Sequence, residues 1–175
     1  MNKILNLFVL LIMMISFSCK KSNHENIEIS LDDFSDCPKN FSCTYLYVEN
    51  AEFGDPLFLN LKKGSQKIFK YSAVMGNGFM AKYVYFKIPM NVTQFNLTNE
   101  QVLAGEVKYA DPCPSCDKIG VKIIGGHFKG IQVSGASATA KWLVDGQLYL
   151  GSIQPSTYRD TVRIKQYFTL DPAGI

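Results

Sequence analysis

Hydrophobic and polar residues alternate along much of this chain with a period of two, which is typical of half-buried β-strands. In residues 80–88 the apolar face comprises Val84, Phe86 and Ile88, while tyrosine and lysine occupy the other face. Residues 161–170 repeat this alternation. Because successive side chains of a strand point to opposite sides of a sheet, both segments predict strands with one face in a core.

Turn-forming residues separate several of these runs. Asp145 and Gly146 stand between two apolar runs, where an Asp-Gly pair suits a two-residue type I′ turn and predicts a hairpin. Residues 57–61 and 67–74 are predicted to form another hairpin, joined through a Gly-Ser turn. Residues 120–133 are predicted to form two strands around a Gly-Gly pair.

One short helix is predicted among the strands, because Thr98 and Gln101 have the spacing of a capping box. Residues 25–35 alternate weakly and predict an edge strand. Aromatic residues make up 13% of the chain, which also favours strands. We therefore expect a single all-β domain over residues 36–175, an antiparallel sandwich or barrel of roughly nine short strands with at most one short helix.

The first 18 residues have a different character. Lys3 is followed by a largely apolar run over residues 4–15 and then by small residues. As a helix that run spans about 18 Å, well short of a hydrocarbon core of about 30 Å. A positive start, a short apolar run and small residues before Cys19 are typical of a cleaved export signal.

With Ser18 and Cys19 at its end, this stretch resembles a bacterial lipoprotein signal peptide, in which the cysteine is acylated and becomes the mature N-terminus. The resemblance implies acyl chains such as palmitate on Cys19 and a polar tether over residues 19–35. Because Lys20 follows the cysteine, it also implies the outer membrane of the cell envelope. Residues 16–18 suit ordinary signal peptidase as well, and cleavage by that enzyme would release a soluble protein.

Acylation of Cys19 would leave four of the five cysteines for pairing in an oxidising compartment. Their spacing favours two local disulfides, Cys37 with Cys43 and Cys113 with Cys116. Two alternatives stay open. Cys113 and Cys116 would form a redox-active pair if a helix followed them, but the residues that follow indicate a strand. All four thiolates would bind zinc in the third hypothesis, although the first pair departs from the usual spacing of zinc ligands.

Charge limits the classes of partner. The formal net charge is +3, and the chain has no dense run of lysine and arginine, so a nucleic-acid-binding surface is not expected. The nearest approach to a basic patch comprises Lys62, Lys63, Lys67 and Lys70. We interpret these lysines as the solvated end of a hairpin.

No pattern indicates catalysis. His127 lies alone on a predicted strand, where histidine is more often structural than catalytic. Trp142 and Tyr149 would face each other across the predicted hairpin as a platform for a glycan or peptide, although the neighbours of Trp142 favour a core position. We expect a membrane-anchored binding or structural module of the envelope, with a possible glycan or protein ligand and without enzymatic activity, metal or cofactor. The alternative is a thiol-redox or zinc protein that uses Cys113 and Cys116.

Overall fold

The alternating segments form nine β-strands within the part of the chain that a computed structural model describes. The structure describes residues 26–55, 60–76, 78–112, 120–134, 140–153 and 157–175. The strands are β1 (Phe41–Phe53), β2 (Leu61–Lys63), β3 (Gln66–Met75), β4 (Ala81–Pro89), β5 (Gln94–Leu97), β6 (Val107–Ala110), β7 (Val121–Ser134), β8 (Lys141–Ser152) and β9 (Arg159–Leu170). Between β5 and β6 a short helix, α1 (Asn99–Gln101), continues into a π-helical turn, Val102–Glu106. Thr98 forms the predicted capping box with Gln101.

The strands make one sheet that curls into a half-barrel, in the order β5-β7-β8-β9-β1-β3-β4-β6, with β2 also paired to β1. Neighbouring strands are antiparallel, except that β1 and β9 run parallel where Leu46 pairs with Thr169. The prediction of an all-β fold with one short helix is confirmed. Several strands are longer than expected, because a curled sheet needs long strands to enclose its core; β7 has 14 residues.

Aromatic side chains fill the inside of the half-barrel. Phe69 is at the centre, with ring centroids 4.8 Å from Phe86, 5.4 Å from Trp142 and 5.4 Å from Phe168, and all four residues are fully buried. Such offset and edge-to-face contacts add to the stabilisation that burial provides. The interior is therefore a packed core rather than a channel.

Residues 26–36, which we name the strap, cross the outer face of the sheet. The strap begins beside β5, where the Ile27 amide donates to the Gln94 side chain at 3.4 Å, and it passes β7, where Lys129 donates to a strap carbonyl at 3.1 Å. It ends at β9, where the Ser35 amide donates to the Lys165 carbonyl at 3.0 Å. The predicted edge strand is wrong, because these contacts hold the segment across the strands without a regular ladder.

The strap also covers apolar residues on the outer face. Leu143 faces away from the core and is nevertheless fully buried. It lies in register between Ile131 on β7 and Tyr167 on β9, and Phe34 of the strap packs against Tyr167 with ring centroids 5.4 Å apart. Segment 26–36 is thus part of the folded domain.

The hairpin predicted at Asp145-Gly146 is wrong, since β8 runs straight through both residues. Phe128 on β7 lies directly over Gly146, and a Cβ built there would overlap the Phe128 ring and lie 2.8 Å from the His127 carbonyl oxygen. The glycine therefore makes room for a core ring instead of forming a turn.

Two other predicted pairings differ from the structure. The segment predicted as two strands over residues 120–133 forms one bulged strand, β7, with register shifts between Ile123 and Gly125 and between Gln132 and Ser134. The Asn99 side chain accepts a hydrogen bond from the Gly126 amide at 3.0 Å beside this bulge. The predicted hairpin between residues 57–61 and 67–74 is also wrong, because β2 pairs with β1; residues 57–59 lie outside the described part.

Candidate binding site at the mouth of the half-barrel

Seven strand ends meet at one end of the half-barrel, which we name the mouth. Strands β1, β4, β7 and β9 begin there, and β3, β6 and β8 end there. We name the opposite end the base. Because loops and strand ends carry side chains that the core does not need, a binding site is expected at the mouth.

Four tyrosines gather at the mouth, and we name them the tyrosine cluster: Tyr45, Tyr71, Tyr109 and Tyr158. Tyr45 and Tyr71 are directly paired on β1 and β3, with ring centroids 5.4 Å apart. Tyr71 is 4% exposed and Tyr158 is 42% exposed, so the cluster extends from the core to the surface. Tyr45, Tyr71 and Tyr109 belong to β1, β3 and β6, and only the pairing of these strands through β4 brings the three side chains together.

The tyrosine hydroxyls stay protonated at neutral pH. Burial raises the pKa of Tyr71 to about 12, with a smaller contribution from Tyr45. Burial also raises the pKa of Tyr109, and the neighbouring carboxylates of Asp111 and Asp160 act in the same direction. These phenols are therefore hydrogen-bond donors as well as acceptors.

An ion pair lies beside the tyrosine cluster. Lys82 on β4 and Asp160 on β9 face each other at 2.9 Å, and the Tyr158 hydroxyl is 3.4 Å from the same carboxylate oxygen. Burial raises the pKa of Asp160, but hydrogen bonds and charge from Lys82, together with the Thr161 amide, outweigh it and lower the pKa below its ordinary value. The carboxylate is thus ionised at neutral pH.

The lowered pKa makes this pair a pH-dependent contribution to stability. A carboxyl whose pKa is lower in the folded state than in the unfolded state stabilises the folded protein at pH values above its unfolded pKa of about 3.9. This contribution is lost as the pH falls through the folded pKa. We expect Asp160→Asn to lower the free energy of unfolding by about 0.5–1 kcal/mol at pH 7 and by less at pH 3. Urea unfolding of both proteins at both pH values measures this.

The matched control for this prediction is Lys82→Met, which removes the cation and leaves the carboxyl. In that background the effect of Asp160→Asn should depend much less on pH. Equal effects of Asp160→Asn at pH 7 and pH 3 in the otherwise unchanged protein would contradict the role given to Lys82.

A cleft opens where the sheet fails to close. Strand β6 and the first residues of β7 face each other across a seam without a backbone ladder between them in the described residues. A cavity of about 270 Å³ lies in this seam, next to the tyrosine cluster. Its wall comprises Val102, Leu103, Gly105, Val107, Lys108, Tyr109, Val121, Lys122 and Ile123. We name this cavity the seam cleft.

A second cavity, of about 370 Å³, lies on the other side of Lys108, between the π-helical turn and the ends of β1 and β4. Its lysine on β4, Lys87, forms an ion pair with Glu106 at 3.5 Å and lies 5.8 Å from the Phe53 ring centroid. Because this cation already has an acidic partner, we consider the seam cleft the better binding site.

Lys67 lies at the base and corrects one interpretation of the sequence. Lys62 and Lys63 are exposed, as expected for a solvated end, but Lys67 is only 5% exposed. Its ammonium lies 4.7 Å from the Trp142 ring centroid and 3.4 Å from the Glu49 carboxylate. The interpretation is wrong for Lys67, because β3 directs this side chain to the inner face, where an aromatic ring and an acid compensate its charge.

The structure joins Cys37 to Cys43, with Cα atoms 5.8 Å apart, as the local pairing predicts. The Tyr71 hydroxyl lies 3.9 Å from the Cys43 sulfur, so this disulfide borders the tyrosine cluster. Two sulfurs that are bonded to each other are not thiolates, so this pairing agrees with the disulfide hypothesis. The zinc hypothesis, which also needs Cys113 and Cys116, stays a prediction. Cys113 and Cys116 lie outside the described residues, and their pairing stays a prediction.

The remaining sequence candidates are placed as follows. His127 is exposed on β7, and Trp142 is fully buried in the core. The platform of Trp142 and Tyr149 is wrong, because both residues belong to β8 and lie on opposite faces of the sheet. Cys19 lies outside the described residues.

Two general features of the described part bear on function. None of its helices has the length and apolar character that crossing a bilayer requires. Histidine, cysteine and acidic side chains do not form a group of three or more that could hold a metal ion in residues 26–175, leaving aside the five gaps within that range.

No protein-family model matches this chain, and neither a curated protein nor a solved structure matches it. The geometry of the mouth and the seam cleft is therefore the basis for assigning a function.

Proposed function

We propose that this chain is an exported envelope lipoprotein, anchored to the outer membrane through acyl chains on Cys19, whose half-barrel is a non-enzymatic binding module. The ligand site is the seam cleft together with the adjoining tyrosine cluster. The seam is the observation behind this proposal: β6 and the first residues of β7 do not pair with each other, and the cavity between them offers a ligand a place that the packed core does not.

The polar groups at the mouth support binding rather than catalysis. The tyrosine hydroxyls stay protonated, and the Asp160 carboxylate is already bound to Lys82. A general base needs a free carboxylate or imidazole in reach of the substrate, and His127 lies on the outer face of the sheet. The Tyr109 hydroxyl and the apolar side chains in the wall of the seam cleft suit recognition of a ligand by shape and hydrogen bonding.

Intact mass spectrometry of membrane-extracted protein tests the anchor. We expect a chain that begins at Cys19 and carries acyl chains, and reduction should add two hydrogens for each disulfide. Cys19→Ala should remove the acyl mass and the protein's association with membranes. An unacylated chain in the soluble envelope fraction would contradict the anchor.

Binding and turnover assays test the module itself. We expect the protein to convert none of the glycans, peptides and small molecules that are tested, including those that it binds. The site predicts that Tyr109→Phe and Leu103→Ser weaken binding, while Lys63→Gln at the base does not. Turnover of any substrate that one polar substitution abolishes would contradict the proposal.

A further inference from the structure

We propose that the seam cleft binds a small amphipathic carboxylate, whose apolar chain lies between β6 and β7 and whose carboxylate lies between Lys108 and Lys122. The inference rests on the proposed function, because it gives the ligand class of that same site. Three features of the cleft limit the class of ligand: its apolar wall, its two lysines and its size.

The inner wall of the cleft is apolar. Val102 and Val107 form its buried floor, and Val121 and Ile123 are half-buried on the β7 side. Leu103 stands at the entrance and is 54% exposed. An apolar chain in this place would remove Leu103 and the exposed parts of Val121 and Ile123 from water, which is favourable by about 25 cal/mol for each Å² buried.

The rim of the cleft is cationic. Lys108 belongs to β6 and Lys122 to β7, so each side of the seam contributes one lysine to the lining of the cleft. The Lys108 ammonium lies close to Gly105, where a Cβ would be 3.4 Å from it. Among the described residues neither lysine has an acidic partner, in contrast to Lys87 and Lys129. Two such cations favour an anionic head group over a neutral or cationic one.

Tyr109 supplies a donor between the apolar wall and the rim. Its side chain packs against the core from β6. The hydroxyl is protonated at neutral pH, and burial raises its pKa further. A protonated phenol donates a hydrogen bond to an anion, whereas a phenolate would repel it. The volume of about 270 Å³ is at the lower end for ligand sites, so the apolar chain must be short.

Equilibrium dialysis tests this assignment, with the acylated protein in phosphatidylcholine nanodiscs and empty nanodiscs as the blank. The probes are hexanoate, 1-hexanol and hexylamine, which share one chain length and differ in head-group charge. We expect hexanoate to bind most tightly and hexylamine least. Lys108→Gln and Lys122→Gln should each weaken hexanoate binding about threefold, and the double variant about tenfold, without changing hexanol binding.

Lys141→Gln is the matched control, because Lys141 is an exposed lysine at the base; it should leave hexanoate binding unchanged. Leu103→Ser should weaken hexanoate and hexanol alike, since it alters only the apolar entrance. Any of three results would overturn the assignment. Hexanoate and hexanol could bind with equal affinity, or hexanoate could fail to bind at concentrations on the order of 10 mM. The third result is an equal effect of all three lysine substitutions on hexanoate binding.

These outcomes are separate from those that test the proposed function. Acylated protein that binds a glycan or peptide at the cleft, and ignores hexanoate, would reject the carboxylate and leave the binding module intact. Hexanoate binding by a chain without acyl groups would support the ligand class and reject the anchor.

Discussion

Phe69→Ala is expected to lower the free energy of unfolding by about 4 kcal/mol. Phe69 is fully buried, and its ring contacts those of Tyr47, Phe86, Trp142 and Phe168. Removing it leaves a cavity at the centre of the half-barrel, which rigid neighbouring rings cannot fill. Because domains of this size are stable by only about 5–15 kcal/mol, chemical denaturation should show a large loss.

Phe79→Ala is the matched control, since the same atoms are removed from a side chain that is 57% exposed. We expect it to change the free energy of unfolding by less than about 1 kcal/mol. Similar losses for the two variants would contradict a core centred on Phe69.

Gly146→Ala is expected to lower the free energy of unfolding by about 3 kcal/mol, which is at the upper end for overpacking a core. The reason is that the added methyl group would overlap the Phe128 ring. The cost should fall when Phe128 is first replaced by alanine, so a double-mutant cycle should give a clear coupling energy. Urea unfolding of the four proteins measures it.

The hairpin that the sequence suggests at Asp145-Gly146 predicts a different result. In a hairpin turn Gly146 would be needed for its backbone conformation, and the loss of unfolding free energy in Gly146→Ala would not depend on Phe128. Gly76→Ala is the control, since a Cβ at that position meets no atom within 4 Å and should cost little. Absence of coupling between positions 128 and 146 would contradict the packing in the structure.

Local patterns predicted the class of fold well. The alternation of β4 and β9 placed Phe86 and Ile164 in a core, and the spacing of Cys37 and Cys43 gave the disulfide that the structure contains. The capping box at Thr98 is also present. Each of these features is determined by residues close together in the chain, which is why the sequence was sufficient.

Features that depend on distant residues were missed. Gly146 was assigned to a turn because a sequence does not distinguish a glycine needed for its φ angle from one needed for space beside a ring. Lys67 was assigned to solvent because Trp142, 75 residues later, is what accommodates its charge. The seam cleft also required knowledge of strand order, since β6 and β7 are consecutive and would ordinarily pair.

The path of the strap determines which way an anchored protein would point. Its first contacts are with Gln94 at the beginning of β5, so the first described residues of the strap lie towards the base. Only seven residues lead from Cys19 to residue 26, a reach of at most about 25 Å. Lipid on Cys19 would therefore hold the base near the bilayer and turn the cleft outward, so that ligands would arrive through the aqueous phase rather than by lateral diffusion in the membrane.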